Sequence, residues 1–231
     1  MDDKLRDKII ARAEDYVHGI LEHEATGHDW SHISRVTKLA IQLGQKEGAD
    51  LFICELAALL HDLVDSKLTH LAHTGVPQVE SWLADNGVAP EESAHIMEII
   101  TTLSFKGGGG QPMTTIEGKV VQDADRLDAL GAIGIARAFT YSGAKGGKLH
   151  DPALKPRVQL SEAEYRNEEG TAINHFYEKL LKLKDRMNTT YGKAMAAERH
   201  VFMEQFLRQF DAEWEGEAAI TSAGAEDQEY S

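Results

Sequence analysis

His61 and Asp62, two residues that water normally claims, follow directly on the apolar run Leu56-Ala57-Ala58-Leu59-Leu60. Asp125 interrupts another stretch headed for a core, shortly after Val120-Val121. A carboxylate buried beside an imidazole is costly unless something neutralises it, and a divalent cation that coordinates both does so. His32 stands on a third amphipathic stretch, whose apolar face must pack against residues 50–64, and it joins the other three as a candidate ligand. The alternative for these four residues is a buried hydrogen-bonded network without an ion.

Spacing sorts the neighbouring polar residues. Asp123 and Asp125 lie about 200° apart around an α-helix, so only one of them reaches a given ion, and Asp125 is the expected ligand. Asp128 shares a helical row with Asp125 and is placed to support it from behind. Asp65 lies four residues after His61 and three after Asp62, on the same side as the pair, where it can orient a water. Arg35, three residues after His32, can aim a guanidinium at phosphate oxygens near the same ion. His28 precedes His32 by four but falls in the turn beside Gly27. It is a candidate substrate contact, with a capping or supporting role as its alternative. His95, alone on an amphipathic stretch, is the residue that would extend the site to a second metal.

The elements that must position these groups are helical. Ile9, Ala13, Tyr16 and Ile20 mark one face of a helix over about 4–24. Asp29 or Ser31 can cap a second helix, which continues through Ile33, Val36, Ala40 and Leu43 to Gly48. Residues 50–64 are apolar on most sides, as in a helix at the centre of a bundle. Short helices follow between Pro77 and Gly87 and from Pro90 to about Leu103, then a lysine-glycine loop at 106–110. A helix over about 115–141 carries Asp125 and the small residues Gly131, Ala132 and Gly134, which permit close helix contact. Residues 143–156 read as a long mobile loop, with His150 exposed like His70 and His73. Ile173 to Met187 and Phe202 to Phe210 mark two more helices. Neither the 107–110 glycines nor Lys145 to Lys148 have the spacing of a phosphate-binding P-loop, and they read as surface loops or flaps. No sustained alternation of a strand is present, so the expected fold is all-α.

Composition narrows the function classes. The 231 residues carry a net charge of −14, which repels polyanions and excludes a broad basic face for duplex nucleic acid, though not a small phosphorylated ligand held by local cations. Cys54 is the single cysteine, so there is no disulfide framework or cysteine zinc site, and the cytoplasm is the expected compartment. No segment approaches the ~20 apolar residues of a membrane span, and no export signal is visible. No linker divides the chain, so one domain over 1–215 is expected, with 216–231 a disordered acidic tail. The length suits a monomer, with a homodimer as the alternative.

The pattern Gly27-His28-Asp29-Trp30-Ser31-His32, then Leu60-His61-Asp62-Leu63-Val64-Asp65, then Asp123-Ala124-Asp125-Arg126-Leu127-Asp128 resembles the H…HD…D series of the HD-domain phosphohydrolase superfamily. Ser104-Phe105-Lys106, Gly134 to Phe139, Phe176 to Leu180 and Phe202-Met203-Glu204 extend the likeness to the bacterial YpgQ/YedJ-type branch, over the chain to about residue 214. The resemblance implies an HD-type helical bundle with additional C-terminal helices and a divalent metal on His32, His61, Asp62 and Asp125. It implies phosphoester or phosphoanhydride hydrolysis by a metal-activated water, with Asp62 and Asp65 as catalytic carboxylates. Arg35 and Lys67 are candidate contacts to phosphate oxygens, with solvated surface as the alternative for each. In this branch the implied reaction converts a (deoxy)nucleoside triphosphate to a monophosphate and pyrophosphate. A 5′-nucleotidase or another phosphoesterase is the alternative enzyme, and a nucleotide-sensing module without turnover is the alternative of another class. Two imidazoles and two carboxylates suit Mn²⁺, Fe²⁺, Co²⁺ or Zn²⁺ better than Ca²⁺, with Mg²⁺ also in play, and the likeness favours Mn²⁺. The chain departs from the family's two-metal branch in lacking its extra histidines, and from the stringent-response hydrolases in having Asp65-Ser66 where they carry Glu-Asp.

Overall fold

Caps and glycines punctuate the chain where the polypeptide changes direction. The computed structural model describes residues 2–22, 24, 27–65, 68, 71–103, 112–157 and 170–217. The helices are α1 (Asp3–Leu21), α2 (Trp30–Glu47), α3 (Leu51–Leu60), α4 (Val76–Asp85), α5 (Pro90–Thr102), α6 (Ile116–Asp128), α7 (Gly131–Ala144), α8 (Ala172–Glu178) and α9 (Thr190–Trp214). Among the described residues there is no strand, only an isolated parallel bridge between Lys148 and Thr171.

Helix α3 is the centre of the molecule. Eight of its ten residues are buried, and it packs on α1, α2, α5 and α6. Each of its enclosed leucines contributes about 1.5–3 kcal/mol relative to exposure. Asp50 starts it by accepting from the N–H groups of Phe52 and Ile53. Helix α2 begins at Asp29, whose Oδ1 accepts from His32 N at 2.8 Å, and stops at Gly48, which takes the left-handed φ of 72°. The cap fixes the first turn of α2, the turn that carries His32.

Several element boundaries differ from the sequence expectation, each for a local reason. Helix α3 gives way at Leu60 to a tighter 3₁₀ turn, His61–Val64, so the histidine-aspartate pair sits just past the buried helix. The expected 115–141 helix breaks into α6 and α7 at Ala129-Leu130. Gly131 takes a φ of 68°, and a Cβ on Gly134 would run into the Ala129 carbonyl. The small residues thus serve a tight turn between two helices. The helix expected over 173–187 ends at Glu178 and continues as two 3₁₀ turns, Leu180–Lys182 and Lys184–Arg186. The last helix is longer than its phenylalanine spacing indicated, and Phe202 is half exposed on it. His150 is half-buried rather than exposed, because its ring stands edge-on against Trp214 at 4.7 Å and Phe210 at 5.7 Å. The 106–110 loop, His70 and Lys67 lie outside the described residues, as does the acidic tail beyond Glu217.

Candidate metal centre

Three elements converge on one point: the first turn of α2 brings His32, the 3₁₀ turn after α3 brings His61 and Asp62, and the last turns of α6 bring Asp125 and Asp128. His32 Nε2 lies 3.5 Å from Asp62 Oδ2 and 3.6 Å from Asp125 Oδ1. His61 Nε2 lies 3.3 Å from Asp62 Oδ1 and 3.9 Å from Asp125 Oδ1. The rings of His32 and His61 meet edge to face at 5.4 Å.

The other nitrogen of each ring explains why these Nε2 atoms matter. His32 Nδ1–H donates to Asp128 Oδ2 at 2.7 Å, and His61 Nδ1–H donates to the Ala58 carbonyl at 2.7 Å. Each bond fixes the tautomer that leaves a lone pair on Nε2. Both Nε2 atoms are buried without a hydrogen-bond partner among the described residues. Two orphaned lone pairs facing two carboxylates form the donor set of a divalent transition-metal ion, and that is the group these residues fit. Asp125, with 35% of its side chain exposed, leaves the centre open on one side.

The electrostatics agree. Burial holds the His32 pKa below the ordinary histidine value despite the opposing pull of Asp128. At His61 burial also disfavours the charged form, but Asp62 and Asp125 outweigh it and raise the pKa. Burial opposes ionisation of Asp62, yet His61, His28 and His32 hold its carboxyl well below the usual range. The same concentration of negative charge that draws a proton to His61 draws a cation to the space between the rings.

Around these candidate ligands the structure places the remaining candidates. Asp128, 2% exposed, accepts from Arg35 through Nε at 2.7 Å and Nη2 at 3.0 Å, besides its bond from His32. Arg35 therefore faces the support of His32 with two of its nitrogens, an arrangement that the sequence expectation of a phosphate contact did not include. Hydrogen bonds to His32 and Arg35 overcome burial and depress the Asp128 pKa. His28 Nδ1 meets Asp62 Oδ2 at 2.9 Å, which orients that carboxylate. Asp65 leaves the 3₁₀ turn in extended conformation, half-buried, three residues beyond Asp62. Asp123 points away from the centre, as the 200° argument requires, and accepts from Asn188 and Thr189. His95 is also elsewhere, with Nε2 3.0 Å from Thr115 Oγ1.

Sequence reasoning missed one charged member of the surroundings. Arg137 of α7 donates to Asp128 Oδ2 at 2.8 Å and to the Gly27 carbonyl at 2.7 Å. The one signal for it was its place in the 134–139 run. A pocket of about 200 Å³ opens beside the two arginines, lined also by Gly27, Asp29 and Thr140.

Comparison with known proteins identifies the family. The HD domain family model matches residues 29–130, which span all four proposed ligands. Bacillus subtilis YpgQ is 46% identical over 209 residues, 90% of this chain and 94% of its own length. The crystal structure of YpgQ in complex with ADP superimposes with a TM-score of 0.75 at 42% identity, covering 90% of this chain and 96% of that one. An HD-superfamily hydrolase from Bacillus thuringiensis is 48% identical with a TM-score of 0.72, covering 92% of this chain and 100% of its own. Fold, ligand geometry and likeness together establish that the chain belongs to the HD-domain superfamily of metal-dependent phosphohydrolases.

Proposed function

We propose that this hydrolase is a (deoxy)nucleoside triphosphate pyrophosphohydrolase that holds Mn²⁺ on His32, His61, Asp62 and Asp125. The observation that carries the reading is the pair of buried, unpartnered Nε2 atoms facing Asp62 and Asp125. The ADP held by the YpgQ relative supports a nucleotide as the ligand class. The ion supplies Lewis acidity at a phosphoryl oxygen and acidifies the attacking water.

The chain's own residues account for the rest. Asp65 takes the proton of the water as its oxygen adds to the α-phosphorus. The bond from that phosphorus to the oxygen bridging the α- and β-phosphates breaks, so pyrophosphate leaves and the monophosphate remains. Arg35, whose Nη1 is not engaged by Asp128, and Lys67 contact phosphate oxygens and offset the charge that develops there. His28 keeps Asp62 oriented and borders the same space. The cytoplasm is the compartment this reading implies.

A product-resolved assay tests the proposal. Metal-stripped protein is resupplied with Mn²⁺, Co²⁺, Mg²⁺ or Zn²⁺ and offered nucleoside tri-, di- and monophosphates, with D62A as the blank. Monophosphate and pyrophosphate should appear only with metal and intact Asp62. Orthophosphate from monophosphates would replace the reading with a 5′-nucleotidase. Stabilisation by nucleotide without any product would replace it with a sensing module.

A further inference from the structure

We infer that Arg137 is a positioning residue that holds both halves of the metal centre at once. Its two Nη groups reach two separate supports. Nη1 donates to Asp128 Oδ2, the oxygen that receives His32 Nδ1–H, and thereby braces the imidazole of one ligand. Nη2 donates to the carbonyl of Gly27, and among the described residues no other donor reaches that oxygen. Gly27 has a φ of 90°, so its turn is a conformation that side-chain-bearing residues rarely adopt. The next residue, His28, places Nδ1 on Asp62 Oδ2 and orients the second ligand. One guanidinium therefore ties α7 both to α6 and to the turn leading into α2.

Arg35 supplies a contrast within the same molecule. It carries the same charge and contacts the same carboxylate, but both of its hydrogen bonds end on Asp128. Its hold on the proposed metal ligands runs through Asp128 to His32. Arg137 has a fork that spans two acceptors from distant parts of the chain, and its Nε is buried with no partner. The two Nη bonds are thus what orient the group, and a point charge in its place cannot satisfy both. Groups bonded directly to metal ligands are worth about 10–100-fold in metal affinity, and Arg137 acts one bond further out on two such groups at once.

The inference rests on the metal centre and not on the substrate, so it is read without nucleotide. Mn²⁺ binding to the metal-stripped full chain is measured by calorimetry for wild type, R137M, R35M, H28A and the doubles R137M/H28A and R35M/H28A, with the metal-free melting temperature as a folding control. R137M should weaken Mn²⁺ binding about 10–100-fold. In the H28A background its effect should shrink at least about threefold, because part of it passes through His28, whereas the effect of R35M should stay the same. Unchanged affinity in R137M, or additivity of R137M with H28A, overturns the inference. If R137M does not fold, R137K takes its place. Lysine keeps the charge but loses the fork, so wild-type affinity in R137K overturns the inference and a loss that depends on His28 supports it. Failure of wild type to bind Mn²⁺ or Co²⁺ overturns the metal centre beneath it, while failure to cleave triphosphates leaves the inference standing.

Discussion

Asp123 and Asp128 lie five residues apart on α6, both almost fully enclosed, and are held by opposite means. Among the described residues, Asp123 accepts only from neutral donors: the backbone N–H and side-chain amide of Asn188, and the backbone N–H and hydroxyl of Thr189. Thr189 is the N-cap of the 25-residue helix α9, where the positive end of the helix dipole favours a carboxylate. The fit is close, since a Cβ on Gly192 would come within 2.5 Å of Asp123 Oδ2. Asp128 instead accepts from two guanidiniums and an imidazole. Its charge is compensated by cations and transmitted, through one hydrogen bond, to the proposed metal ligand His32. A buried carboxylate surrounded by dipoles is a joint between helices, whereas one surrounded by cations that also touches a proposed ligand histidine is placed to support the proposed centre. Asp125 lies between the two in sequence and is the most exposed of the three, because it faces the open side of the centre.

The sharpest way to break this comparison is to neutralise each carboxylate and read two quantities. D128N should weaken Mn²⁺ binding about 10–100-fold by calorimetry, because one amide oxygen cannot serve His32 and both arginines. D123N should leave the affinity of the folded protein unchanged and instead lower stability by about 1.5–3 kcal/mol in denaturant unfolding, the worth of hydrogen bonds to a charged group. A loss of metal affinity in D123N comparable to that in D128N would erase the distinction.

Acid sharpens the contrast further. The Asp128 pKa is depressed from 3.8 in the native protein, so its contribution to stability is fully present above about pH 4 and is lost as pH falls below that value through the folded pKa. In metal-free protein, the gap in melting temperature between wild type and D128N should hold from pH 7 to pH 5 and narrow below about pH 4. A gap that widens on acidification would mean that Asp128 is not held as the anion. The smallest effect is expected at His95, which bonds Thr115 at the start of α6 and lies 3.8 Å from Glu117. H95A should leave the Mn²⁺ stoichiometry and affinity unaltered. Loss of a second bound equivalent would move His95 into the site.

Much of the centre was legible in the order of residues. Apolar runs that end abruptly in His61-Asp62 and surround Asp125 announce polar groups with nowhere to go except a shared partner. Helical periodicity separated Asp123 from Asp125 because two residues on one helix cannot face the same point 200° apart. The break between α6 and α7 was missed, since Gly131 and Gly134 look the same in a sequence whether they allow two helices to touch or a chain to turn tightly. Arg35 illustrates another gap. Its position near His32 was visible, but the identity of its partner was not, because Asp128 is 93 residues away.

By itself, the sequence determined the helical class and the four ligand candidates and narrowed the cap of the second helix to Asp29 or Ser31, because apolar runs, helical periodicity and capping chemistry are local to each element. Only the tertiary structure decided which atoms of those ligands are left without partners and what braces them. His32 meets Asp128 across 96 residues, and Arg137 meets Gly27 across 110. No local periodicity encodes such pairings, since they exist only once α2 and α6 have packed on α3 and α7 has packed on α6.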